Sequence, residues 1–232
     1  IVIPPAIFFY YSTLFDSRFK TLQQNRYVDI IGYDTYDKIN HAYAFGGVAM
    51  TINTIQAYLD IPIDFFVTLN MQGLEQIVDS IGGITLTPTA TFTQDSYSFY
   101  QGEIINLDGK ASLAYSRNRH ADDSGDYGRQ ARQREIIMAI IEKGTKVTTL
   151  ATKIPSLIKS LQGNMTTNLS VDDMWTIINK YSTALGNIEQ VQLKGEGQLL
   201  DDGIYYEMIN EESLEEVQNI LQKQLDYHLN ID

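Results

Sequence analysis

Apolar residues recur along the chain in two rhythms. From Gly46 to Leu59, GGVAMTINTIQAYL sets Val48, Ile52, Ile55 and Leu59 three or four apart, the spacing of one helical face, behind two glycines at its entry. IDFFVTLN reads as a strand, and MQGLEQIVDSIGG as a helix ended by Gly82 and Gly83. ITLTPTATF alternates like a strand with one face exposed, and SFYQGEIINLDGKASLAYSR runs through a glycine turn into a short helix. The helical rhythm resumes at Gly128, with Ile136, Ile137, Ile140 and Ile141 as its apolar face. TKIPSLIKSLQG and SVDDMWTIINKYSTAL are two more amphipathic helices. Ser170 opens the second, with Asp172 and Asp173 in the first turn where carboxylates suit the helix dipole. IEQVQLKG and GIYYEMI read as strands about an Asp202-Gly203 turn, and NEESLEEVQNILQKQL as a closing helix. Strands and helices intermingle throughout, which predicts an α/β fold: one domain over residues 1–232 with a central mixed β-sheet flanked by helices, three layers in the order αβα.

The 232 residues are 44% hydrophobic, enough for a sizeable core. The formal charge of −12 argues against general nucleic-acid binding, which calls for a basic surface, and no helix-turn-helix pattern suggests a transcription regulator. The absence of cysteine excludes disulfides, thiol nucleophiles and thiolate metal sites. No stretch reaches the ~18 to 20 apolar residues of a membrane span. IVIPPAIFFYY is too short for one, contains Pro4 and Pro5, and lacks the basic leader of a signal peptide.

Against this acidic background one stretch stands apart. YSRNRHADDSGDYGRQARQRE, residues 115–135, holds Arg117, Arg119, Arg129, Arg132 and Arg134 among three aspartates. On a helix starting near Gly128, Arg129, Arg132 and Gln133 fall at i, i+3 and i+4 and share a face at its N-terminal end, where backbone N–H groups already attract anions. Arg117 and Arg119 could reach the same point from the other side, and forked guanidinium groups match phosphate oxygens. Converging arginines repel one another unless an anion or carboxylates neutralise them. A phosphate or diphosphate is therefore one reading, with all four guanidinium groups facing one cleft, and a solvated helix face laced with Arg-Glu pairs is the other. Asp126 either holds an arginine or accepts a proton. His120 is a weak candidate base.

These residues also resemble a known family. RNRHADDSGDYGRQARQRE is similar to the arginine motif of the LytR-CpsA-Psr proteins, an R-x-R pair followed by D-x-x-R and R-Q. YDKINHAYAFGGVAMTINTIQAYLDIPIDFFVTLNMQGLEQIVDSIGGI is similar to their K-[IL]-x-H-A-Y-x-x-G segment and the strand and helix after it. The resemblance covers roughly residues 28 to 225. It implies an extracytoplasmic phosphotransferase, held to the membrane by an anchor absent from this chain. Such a protein moves teichoic-acid or capsule polymers from a polyprenyl diphosphate carrier to peptidoglycan, with Mg²⁺ (or Mn²⁺) and without nucleic acid. By position it assigns Arg117, Asp126 and Arg129 to catalysis, and Lys38, Arg119, Arg132 and Gln133 to the pyrophosphate.

The pattern breaks before YVDI. FDSRFKTLQQNRYVDI lacks the family's P-R-D-T turn and the aspartate that turn carries, so residues 1–27 match poorly. Genuine divergence would remove a metal carboxylate and favour a non-catalytic protein that binds polyprenyl phosphate or anionic glycan. The preferred explanation is that two segments are joined across about twenty missing residues after Arg26. Asp16 is then the metal carboxylate and Arg26 a phosphate contact; the alternative for Asp16 is a turn residue.

Overall fold

The structure is a computed structural model that describes residues 7–11, 27–33, 35–118, 125–146, 157–161, 163–181 and 191–225. The chain is mixed α/β, as the two rhythms predict, and divides into two compact units: 1–9, 15–66 and 189–232 in the first, 10–14 and 67–188 in the second.

In the first unit, β2 (Tyr27–Ile30) and β3 (Thr35–Lys38) form an antiparallel pair with Tyr27 opposite Lys38. Val28 and Ile30 pack with Ala42 of α1 (His41–Leu59), with Ile39, Met50 and Tyr58 at the margin. Periodicity placed the start of α1 at the glycines. The helix instead begins at His41 and is interrupted at Gly46 and Gly47, where φ of −144° and +63° leaves the helical region. The glycines are therefore a break between two helical pieces, made possible by a residue with no Cβ at positive φ. The helix ends on Asp60 in the left-handed region (φ 51°). Gln222 of α6 (Glu211–Gln224) holds that residue through its carbonyl at 2.9 Å and its carboxylate at 2.7 Å. The strand expected over IEQVQLKG lies later: β10 is Gly195–Leu199, paired antiparallel with β11 (Tyr205–Ile209) about the expected turn. The 191–194 segment carries no ladder, and Leu193 is buried as a side chain instead.

β1 (Ile7–Tyr11) and β4 (Phe65–Leu69) each run from the first unit into the second, where Val67–Leu69 of β4 pairs antiparallel with β9 (Met165–Thr167) in a sheet of order β1-β4-β9. Helix α2 (Met71–Ser80) opens on Asn70, whose side chain accepts from the Gly73 N–H at 2.8 Å, and closes on Gly82 and Gly83 as expected. Burial alternates residue by residue from Ile84 to Phe92, as the sequence pattern requires. Pro88 nonetheless divides this run into two strands, β5 (Ile84–Leu86) paired with β8 (Ile105–Leu107), and β6 (Phe92–Gln94) paired with β7 (Tyr97–Phe99). Helix α3 (Gly109–Arg117) starts from Asp108, whose carboxylate accepts from the Ala111 N–H at 2.8 Å. Helix α4 spans Gly125–Lys146 and α5 Val171–Tyr181. Ser170 and Asp173 cap α5 reciprocally, hydroxyl and carboxylate each taking the other's backbone N–H. One core joins α2, β5 to β8, α3 and α4 through Leu74, Val78, Ile84, Phe92, Phe99, Leu107, Leu113, Tyr115 and Ile136. Ile136 of the expected α4 face is fully buried, while Ile137, Ile140 and Ile141 are half-buried.

Candidate functional site

Arg117 is the last residue of α3, and Arg129, Arg132 and Gln133 lie on α4. α4 begins at Gly125, three residues before the start that periodicity gave. Gly128 is a buried residue within its first turn, and Arg129 stands one turn inside the helix. Arg129 and Arg132 are 2% and 1% exposed, so the solvated-face reading of RQARQRE does not hold for them. Gln133 is half-buried. So is Arg134, where burial pulls the guanidinium below its ordinary pKa against the opposing charge of Glu135.

Arg132 is held on two sides. Its guanidinium lies 5.3 Å from the centre of the Phe92 ring, and its Nη2 donates to the backbone carbonyl of Asn118 at 2.9 Å. Phe92 belongs to an aromatic group with Phe99 and Tyr115, ring centres 4.8 and 5.5 Å away. Arg117 donates to Met71 Sδ and lies 3.6 Å from the Asp95 carboxylate. The side chains of α3 and α4 thus meet at the β6–β7 hairpin, which fixes Arg117 from its tip and Arg132 from its base.

Tyr115 is fully buried, and its hydroxyl donates to Glu135, which also accepts from Thr89 at 3.2 Å. Burial first, then the hydrogen bond and charge of Glu135, push the phenol well above its ordinary pKa. Because the folded form resists ionisation, its stabilisation is complete below the ordinary tyrosine pKa of about 10 and is lost as pH rises above it. The midpoint of urea unfolding is expected to fall as pH is raised beyond about 10, with a shallower fall in Tyr115→Phe; equal slopes in the two proteins would show that Tyr115 ionises freely.

The other assigned residues are distributed as follows. Lys38 ends β3 in the first unit, buried, with its ammonium 5.2 Å from the centre of the Tyr206 ring. Asp126 lies in the first turn of α4. Asp16, Arg26, Arg119 and His120 lie outside the described residues. Gln94 and Asp95 carry no arginine-motif signal. The stretch FTQDSYSF could have shown them, since alternating residues about a two-residue Asp-Ser link spell a tight hairpin.

Chemically, this arrangement offers guanidinium groups from two helices, two of them on one helix face and shielded from water. The planar guanidinium fork matches phosphate oxygens in pairs.

The LytR_cpsA_psr family model matches residues 20–223, and the chain belongs to that family. A Bacillus licheniformis protein named polyisoprenyl-teichoic acid–peptidoglycan teichoic acid transferase TagU is 44% identical over 205 residues, 88% of this chain and 66% of its own length. The chain therefore spans just under two thirds of that relative. A crystal structure from Enterococcus faecalis, described as a transcriptional regulator, superposes with a TM-score of 0.80 at 41% identity, covering 88% of this chain and 76% of that one. The structure of TagT bound to LIIa-WTA superposes with a TM-score of 0.74 at 32% identity, covering 88% and 77%. No helix among the described residues is long and apolar enough to cross a membrane.

Proposed function

We propose that this chain is the transferase domain of an envelope enzyme that moves a teichoic-acid or capsule-type polymer from a polyprenyl diphosphate carrier to peptidoglycan, at the outer face of the membrane. The burial of Arg129 and Arg132 one turn apart on α4 carries this reading. Two like charges shielded from water on one helix face suit a ligand that brings negative charge, as a diphosphate does. The names of the relatives point in two directions, to a transferase and to a regulator. A chain of charge −12 suits the first, because DNA binding draws on a basic face.

In the reaction, an acceptor hydroxyl of peptidoglycan attacks the phosphorus next to the glycan. The new O–P bond forms as the bond to the polyprenyl phosphate breaks, and that phosphate leaves with the electron pair. The hydroxyl proton goes to Asp126. Arg117 and Arg129 hold the phosphoryl oxygens where charge grows, and Arg119, Arg132 and Gln133 bind the pyrophosphate in the ground state.

Mg²⁺ (or Mn²⁺) would neutralise charge on the diphosphate when bound. The described residues gather no three acidic or histidine side chains as ligands. Mg²⁺ needs only one or two protein carboxylates where phosphate oxygens complete its shell, and Asp16, which lies outside the described residues, would supply one.

The test is transfer of a labelled lipid-linked saccharide to peptidoglycan fragments by the chain and its Asp16→Ala variant, with and without EDTA. Transfer is expected in Mg²⁺ and is expected to be lost in EDTA and in the variant. An Asp16→Ala protein that transfers at the parent rate makes Asp16 a turn residue, and a parent inactive in every condition makes the chain a binding protein.

A further inference from the structure

Asp95 lies outside the arginine pattern, yet its carboxylate connects to arginines on both helices. Oδ2 lies 3.6 Å from Nη1 of Arg117, and Oδ1 accepts from Nε2 of Gln94 at 3.0 Å. Oε1 of Gln94 accepts from Nδ2 of Asn118 at 3.3 Å, and the carbonyl of Asn118 accepts from Arg132 at 2.9 Å. The Gln94 amide has one orientation that serves both neighbours, since only its NH₂ can face a carboxylate and only its oxygen can face another amide's NH₂.

The backbone at the tip adds an independent sign. The register from Phe92 opposite Phe99 to Gln94 opposite Tyr97 leaves Asp95 and Ser96 as a two-residue link, with φ of +50° and +70°. Such links favour Asn-Gly or Asp-Gly, because glycine meets no Cβ penalty at positive φ. Serine at the second place is strained, and strain of this kind persists where the surroundings dictate the conformation. Here the hairpin base is clamped in the core by Phe92 and Phe99.

The geometry points to Asp95 as the positioning residue of the anion site. It sets the side chain of Arg117 directly and, through Gln94 and Asn118, the carbonyl that anchors Arg132, so that guanidinium groups from two helices are aimed before a ligand arrives. This rests on the diphosphate reading of the site and adds to it a residue from outside the arginine motif. The pair is longer than the ~2.7 to 2.9 Å of a close charge-assisted hydrogen bond. Its side chains are 28% and 49% exposed. Asp95 therefore orients Arg117 without neutralising it as a tight buried carboxylate would.

The experiment is calorimetric titration of the full chain with geranyl diphosphate, using Asp95→Asn, Arg117→Ala and the double variant, with urea midpoints measured on each. Asparagine tolerates positive φ, so Asp95→Asn removes the charge and keeps the turn. Binding is expected to weaken roughly three- to ten-fold in Asp95→Asn, the worth of a half-exposed ion pair with one hydrogen bond. Asparagine keeps an oxygen that accepts from the Gln94 amide, so the branch to Arg132 survives, and in the Arg117→Ala background the same change is expected to do nothing, an outcome that a merely structural role would not give. If Arg117→Ala weakens binding while Asp95→Asn leaves it equal or tighter, Asp95 is a bystander or a competitor and the inference fails while the diphosphate site stands. Unchanged binding in Arg117→Ala overturns both. Should Asp95→Asn lower the urea midpoint, Asp95→Gly makes the same comparison with no Cβ at that position of the turn.

Discussion

Arg129→Ala is expected to lower transfer by about 10² to 10³-fold, the cost of removing one group that stabilises charge growing in a transition state. The side chain has almost no exposed surface, so the variant also leaves a cavity and loses stability. Arg129→Met separates the two effects, because it keeps much of the volume and removes the charge. The Met variant is expected to unfold in urea close to the parent and to transfer as poorly as the Ala variant. Parent-like transfer by a folded Arg129→Met protein would remove this arginine from the chemistry.

The largest stability effect is expected at the hairpin base. Phe92 packs on Phe99 and Tyr115 in the core and presents its ring to Arg132. Phe92→Ala deletes a buried aromatic ring at a cost of about 3 to 5 kcal/mol, read as a fall in the urea midpoint at constant slope. Phe92→Leu is expected to cost less than half as much, since most of the volume stays. The Leu variant should also lose transfer out of proportion to its stability, because the guanidinium loses the ring face that holds it. A loss under about 1 kcal/mol in Phe92→Ala would place the ring outside the core.

Elements whose hydrophobic rhythm matches one uninterrupted geometry were legible in the sequence. MQGLEQIVDSIGG gave α2 with its closing glycines, and the capping signal Ser170 with Asp173 gave the start of α5. The arginine cluster was legible as a candidate site because five like charges in an acidic chain are conspicuous. What escaped was set by tertiary context. α1 extends back to His41 because the glycines interrupt it without ending it, and the burial of Leu193 resembles a strand residue where no ladder forms. In the site, periodicity could place Arg129 and Arg132 on one face. It could not show that Asp95 and Gln94 meet Arg117 and Asn118, more than twenty residues later, through a hairpin tip.

Pro88 has a consequence for how this molecule behaves among copies of itself. The run from Ile84 to Phe92, half apolar and alternately buried, has the pattern of a strand that recruits a neighbour when it becomes exposed during synthesis or thermal opening. A proline at its centre offers no N–H to an incoming chain, so any intermolecular ladder that starts along this segment stops after a few residues. The same residue that splits the segment into β5 and β6 in the native structure thus acts in the unfolded chain as a gatekeeper against cross-β growth.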